Sequence, residues 1–340
     1  MEYLGDIWFV LWAVLWGIYF ALDGYDFGIS MLVPALGLGT EKERDTMHLV
    51  TGPFWDGNEA WLIAAGGVTF AAFPTAYAVL FASLYTPLML LLLALILRGI
   101  AAEFRHQLAD RQWSRFWDWV SAGSSFLAAL LLGVAFSNLF RGLPLDGDSL
   151  FQGNILNLLH PYALLGGLLF VLMFVVHGAI YLASRVTGDL EKKARLAAKA
   201  AWPLFFLSFL LYVVLTFFWA GLSKNYFEAP LLLGLPVACL VAFVASGHYL
   251  YRSGGNFPAA FRYSGLGIIL LALTGVMGMY PNLIPSRLDP LGALTIQNSA
   301  STPKTLLIML VVALIFVPLV IAYQWWSHRK LTPEKLNPEY

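Results

Sequence analysis

Nine runs of about twenty apolar residues, separated by charged breaks, leave this chain little choice but a bundle of membrane-spanning helices. A helix needs about that length to cross a hydrocarbon core of roughly 30 Å, where no water is present to satisfy the backbone. The runs fall near 7–26, 55–73, 76–97, 119–140, 162–183, 202–222, 229–250, 263–281 and 305–326. The second opens on a polar turn, Trp55-Asp56-Gly57-Asn58-Glu59. Only 12% of the 340 residues are charged and 59% are apolar, against roughly a quarter charged in soluble domains. The formal net charge is zero, so no field of either sign points to nucleic acid. No Lys or Arg precedes the first run, which is therefore expected to remain as an anchor rather than act as a cleaved signal peptide. Cys239 is the only cysteine, so no intrachain disulfide can form, and its thiol is expected to be inert packing.

Lys and Arg in short loops hold those loops in the cytoplasm, so their distribution tests both helix number and orientation. Lys42, Arg44, Arg98, Arg105, Arg111, Arg115, Arg185, Lys192, Lys193, Arg195, Lys199, Arg252, Arg262, Arg329, Lys330 and Lys335 fall on one side, and only Arg141, Lys224, Arg287 and Lys304 on the other. The expected fold class is an all-α integral membrane protein of nine transmembrane helices, as two four-helix bundles plus one peripheral helix, with the N-terminus outside and the C-terminus cytoplasmic. Residues 1–141 form the first half, 142–161 an outer loop, 162–281 the second half, 282–304 another outer loop, and 305–340 the ninth helix and tail. Residues 190–201 read as a basic amphipathic helix lying on the inner surface. Pro87, Pro236 and Pro318 lie inside runs and are expected to kink them.

Charged groups within a span are costly and so mark function unless a partner explains them. In this orientation Asp23, Asp26, Asp56, Glu59, Arg98 and Glu103 all lie toward the cytoplasmic face. Asp23 and Asp26 are three residues apart, as are Asp56 and Glu59, so each pair can share one side of its helix. Four carboxylates converging on an arginine suit proton uptake. The bland alternative is helix capping and pairing with Arg98, with Asn58 serving only to tie two helices together. Intramembrane carboxylates and kinked helices equally suit a proton-coupled secondary transporter. Among the histidines, only His177 lies deep in a run, with His248 nearest in depth, and packing or hydrogen bonding is favoured over haem ligation.

The stretch Ala21-Leu22-Asp23-Gly24-Tyr25-Asp26-Phe27-Gly28, followed by Gly52-Pro53-Phe54-Trp55-Asp56-Gly57-Asn58-Glu59-Ala60-Trp61-Leu62, resembles subunit II of cytochrome bd-type quinol oxidases. The similarity continues through Gly66-Gly67, Phe70 to Pro74, Tyr77 and Arg98. The resemblance implies the haem-free half of a terminal respiratory oxidase in a bacterial or archaeal cytoplasmic membrane, which oxidises quinol and reduces dioxygen to water. Haems b and d would sit in the larger partner, subunit I. It also leaves room for a bound quinone, whose contacts it does not place, and for a small single-helix accessory subunit. Its proton role carries onto Asp23, Asp26 and Asp56 by motif; Arg98 and Glu103 match less sharply. Trp55 and Asn58 are read as supporting residues, with no metal and no catalytic residue expected in this chain.

Overall fold

The computed structural model describes residues 3–36 and 40–331. Its helices, in chain order, are α1 Leu4–Leu36, α2 Glu41–Thr51, α3 Trp55–Ala72, α4 Pro74–Ser83, α5 Tyr85–Phe104, α6 Arg111–Arg141, α7 Ile155–Leu158, α8 Pro161–Arg185, α9 Gly188–Trp219, α10 Ser223–Glu228, α11 Gly234–Tyr251, α12 Phe257–Met279, α13 Ile296–Ser299 and α14 Pro303–Leu331. Among the described residues eight helices are long and apolar enough to cross a membrane: α1, α5, α6, α8, α9, α11 with the turn before it, α12 and α14. The expected second span is helical as α3, but its first turn carries Asp56, Asn58 and Glu59, and it does not join the eight by composition.

Two elements differ from expectation. The third run is divided at Leu84 into α4 and α5. Pro87 has no N–H to give the Ser83 carbonyl and its ring would clash there, so the helix restarts. Pro236 likewise sits in the first turn of α11, where its missing N–H is harmless, and Pro318 lies inside α14. The basic segment 190–201 is not a separate surface helix; it is the first part of α9, continuous with the span. Leu190, Ala194, Ala198, Phe205, Ser208, Phe209 and Tyr212 form one buried stripe along it, so packing carries the helical register straight through.

At the centre, α1 packs against α3, α6, α8 and α12. Its approach to α8 is set by glycine: a Cβ on Gly28 would sit 1.9 Å from the Phe174 carbonyl oxygen. Gly28→Ala should therefore push two backbones apart, at or above the roughly 3 kcal/mol upper end of ordinary overpacking. Gly66→Ala, which meets nothing within 4 Å, should be close to neutral. Comparing the thermal inactivation half-lives of the two variants tests this, and equal half-lives would refute the close crossing.

The last helix is held at a few points. Trp8 Nε1 donates to the Leu306 carbonyl at 3.0 Å, Trp61 Nε1 to Gln324 Oε1 at 3.0 Å, and His328 stacks on Phe54 at 3.9 Å. The expected tail beyond it, with Lys335, lies outside the described residues. On the opposite end, the connection between α12 and α14 folds on itself, strand β1 Asn282–Ile284 pairing antiparallel with β2 Leu294–Thr295, and it interlocks with the connection after α6. Leu143 N donates to Pro285 O at 2.9 Å and Arg287 N to Leu143 O at 3.0 Å.

Candidate functional site

The deep part of α1 is locked by its crossing with α8, which fixes the direction of Asp23 and Asp26. Both are buried, at 0% and 2% exposure. Arg98 reaches across from α5, and its Nη2 lies 2.7 Å from Asp23 Oδ1 and 2.7 Å from Glu59 Oε1. The guanidinium also covers the Phe27 ring at 4.3 Å, an attraction that strengthens when desolvated. Three residues on, Asp26 Oδ2 accepts from Asn58 Nδ2 at 2.7 Å, and the same amide donates to the Tyr25 hydroxyl at 2.8 Å and approaches Leu22 O at 3.3 Å. A carboxylate and a backbone carbonyl only accept, so these contacts fix which end of the Asn58 amide points at α1. Asn58 thus ties α3 to α1 and orients Asp26 at once. Asp23 Oδ2, Asp26 Oδ1 and Arg98 Nη1 are buried without a hydrogen-bond partner in the chain. The two carboxyl oxygens can bind water or accept a proton, Arg98 Nη1 can donate to water, and the buried Tyr19 hydroxyl lies beside Asp23.

The expected six-residue cluster is therefore smaller. Asp56 and Glu103 are exposed and make no ion pair or side-chain hydrogen bond among the described residues. The buried face of α3 is Asn58, Trp61, Ala65, Thr69 and Ala72, and at about 100° per residue Asp56 lies about 200° round from Asn58, on the far side. Glu59, one residue on, sits at the edge, where Arg98 can reach it. On α5 the buried face is Pro87, Leu91, Ala94, Arg98 and Ala101, which turns Glu103 outward by the same rule. Trp55 is half-buried, its ring beside Gly99 of α5 and so next to Arg98 in the chain.

Sequence reasoning missed Tyr25 and Phe27, although both stand inside the quoted motif. It also missed a second buried ionic set, reading Arg44 and Arg105 only as topology markers. Asp118, at the head of α6, lies 2.7 Å from Arg105 Nε, 2.9 Å from His48 Nε2 and 3.0 Å from Arg44 Nε, and Arg105 Nη1 reaches Asp45 at 2.6 Å. With the Lys193–Glu43 pair at 2.7 Å, these bonds tie α2 to α5, α6 and α9. An acid at the start of a span amid basic loops was the available signal. Burial holds His48 below its ordinary pKa, against the pull of Asp118.

His177 is buried, with Nδ1 3.0 Å from Ser264 Oγ, Nε2 3.0 Å from Ala21 O, and its ring stacked on Phe261 at 4.5 Å. Both nitrogens are engaged, so it packs and bonds as expected; His248 is exposed. Cys239 is buried with its sulfur 3.5 Å from Gly267 O. Among the described residues no group of three or more His, Cys, Asp or Glu is placed to hold a metal.

The family described as cytochrome bd terminal oxidase subunit II matches residues 4–331. This chain belongs to that family. It is 33% identical over 328 residues to the cytochrome bd ubiquinol oxidase subunit 2 of Bacillus subtilis, covering 96% of each chain. It is 32% identical over 361 residues to the cytochrome bd-I ubiquinol oxidase subunit 2 of Escherichia coli, covering 97% of this chain and 94% of that one. The solved bd oxidase of Geobacillus thermodenitrificans shares the fold, with a TM-score of 0.75 over 97% of this chain and 98% of that one at 18% identity. As a subunit II of the bd oxidases, the chain is part of an oxidoreductase and a multi-pass membrane protein.

Proposed function

We propose that this chain is the haem-free subunit of a respiratory quinol oxidase that reduces dioxygen to water, and that Asp23, Asp26, Glu59 and Arg98 form the buried length of its proton uptake path. The supporting observation is that Arg98 bridges Asp23 and Glu59 while Asn58 holds Asp26 one helical turn away on α1, with open oxygens on Asp23 and Asp26 buried among apolar helices. Two carboxylates on one cation, with a third carboxyl group one turn away, can take up and release a proton with little change in the surrounding contacts. In the orientation expected from Lys and Arg, with nine spans counting α3 and the N-terminus outside, the set lies toward the cytoplasm. Asp56, on the outward face of α3, belongs at the mouth of the path, and Glu103 on the inner rim. The helices fall into halves, α1 with α3 to α6 and α8 with α9, α11 and α12, and α14 is peripheral.

Haems b and d belong to the larger partner subunit and supply electron transfer from quinol and oxygen reduction. This chain holds and passes protons: a proton accepted at the free oxygen of Asp26 or Asp23 moves on through water, and Arg98 keeps Asp23 and Glu59 in place. The engaged nitrogens of His177 favour the haem-free reading.

Asp26→Asn keeps the size and the bond to Asn58 but removes the titrating oxygen. Oxygen consumption by the intact complex should fall on the order of a hundredfold, the low end of what a positioned proton-transfer group contributes, while the visible haem spectrum stays unchanged. Unchanged oxygen consumption and unchanged charge movement would take Asp26 off the path.

A further inference from the structure

Near the start of α8, away from the acidic set, the fold brings together three hydrogen-bond donors without an acceptor. Arg141 ends α6, and the next residue, Gly142, adopts φ +89° with its Cα so close to Pro285 that a Cβ would lie 3.0 Å from that carbonyl oxygen. That approach lets Leu143 exchange backbone bonds with Pro285 and Arg287 at 2.9 and 3.0 Å, which sets Arg287 beside the end of α6. Asn138 donates to Leu158 O at 2.9 Å and so holds the approach to α8 against the same helix. His160 then caps α8: its Nδ1 accepts from Ala163 N at 3.2 Å. The proton must therefore sit on Nε2, which is buried without a partner.

Neither Arg141 nor Arg287 forms an ion pair or side-chain hydrogen bond among the described residues. Of the acids on the same loops, Asp146 accepts from the Leu150 and Asp148 amides and from Gln152, and Asp289 from Leu291 N, and neither these nor Asp148 pairs with either arginine among the described residues. Arg141 alone would be explained by the C-terminal dipole of α6. The dipole does not explain a second arginine set beside it, where the two charges repel; partial desolvation, helped by Arg141, lowers the pKa of the largely exposed Arg287. Burial, then Arg141 and Arg287, hold His160 down at about 4, so it stays a neutral N–H donor.

Below this trio the surface is apolar. His160, Leu164 and Leu168 are spaced i, i+4, i+8 down one face of α8, and Leu164 and Leu168 are 45% and 47% exposed. A polar group at the top of that stripe sits at headgroup depth, and the leucines beneath it sit at acyl depth.

We propose that Arg141, Arg287 and His160 bind the phosphate of an anionic phospholipid, with an acyl chain lying along Leu164 and Leu168. The guanidinium fork and the imidazole N–H match the several oxygens of a phosphodiester. Free inorganic phosphate offers the same oxygens but nothing for the leucine stripe.

The test uses the intact oxidase complex, washed exhaustively in mild detergent, with bound phosphatidylglycerol counted by mass spectrometry. Wild type should retain it, and the R141Q/R287Q variant should retain at least about tenfold less, since two charge-assisted hydrogen bonds are lost. Added inorganic phosphate should not displace the lipid from wild type. Should the double variant fail to assemble, R287Q alone, at an exposed loop position, gives the same reading, with the visible spectrum as the check on assembly. Equal phosphatidylglycerol in wild type and variant overturns the proposal. So does binding of labelled inorganic phosphate that depends on these arginines in a wild-type complex that keeps no lipid.

Discussion

Replacing Arg98 by glutamine should destabilise the chain by about 3–5 kcal/mol, the range expected when one partner of a buried ion pair is removed. The effect is large because Arg98 faces two carboxylates at 2.7 Å, and its own side chain is only 5% exposed. Glutamine leaves Asp23, which is wholly buried, with no cation and little water. Arg98→Lys should recover only part of the loss, since a single ammonium cannot reproduce the fork between Asp23 and Glu59 or the stacking on Phe27. The double variant D23N/R98Q should be more stable than R98Q alone, because removing the orphaned charge removes most of the penalty. Thermal inactivation half-lives of the assembled complex provide the comparison. If R98Q inactivates like wild type, the ion pair does not hold these helices together.

Asp118→Asn should release α2 from the bundle. Arg44 and Arg105 are both 2% exposed and both contact the Asp118 carboxylate, so an amide in its place leaves two buried cations competing for one neutral oxygen. A loss of about 3 kcal/mol confined to this corner corresponds to roughly hundredfold faster hydrogen exchange in the α2 amides. Exchange in α11, which contributes no residue to the network, should be unaffected; uniform acceleration across the chain would mean global rather than local loosening. Acid should act in the same direction. Burial depresses the His48 pKa, so the unfolded state binds more protons than the native one as pH falls below the ordinary histidine range, and stability drops there. His48→Gln should flatten that dependence.

Much of the site was legible beforehand because its residues break a rule of the bilayer: Asp23, Asp26 and Arg98 stand where apolar residues belong. The motif around Asn58 pointed to the same place. Asp56 and Glu103 could not be separated from them by sequence, since a three-residue spacing says that two side chains can share a face without saying which face looks inward. The Asp118 network was hidden for a related reason. Its arginines look like ordinary topology charges until the start of α6 folds back against α2.

Apolar run length specified a multi-pass helical membrane protein, because burial of backbone and side chain in lipid is a local and nearly additive demand. The tertiary structure alone decided the rotation of each helix about its axis. That rotation follows from where backbones can approach, at Gly28 against Phe174 and at Gly133 against Gly166, and from Asn58 bonding α1. These contacts join residues far apart in the chain, so no local pattern could have placed Asn58 inward and Asp56 outward.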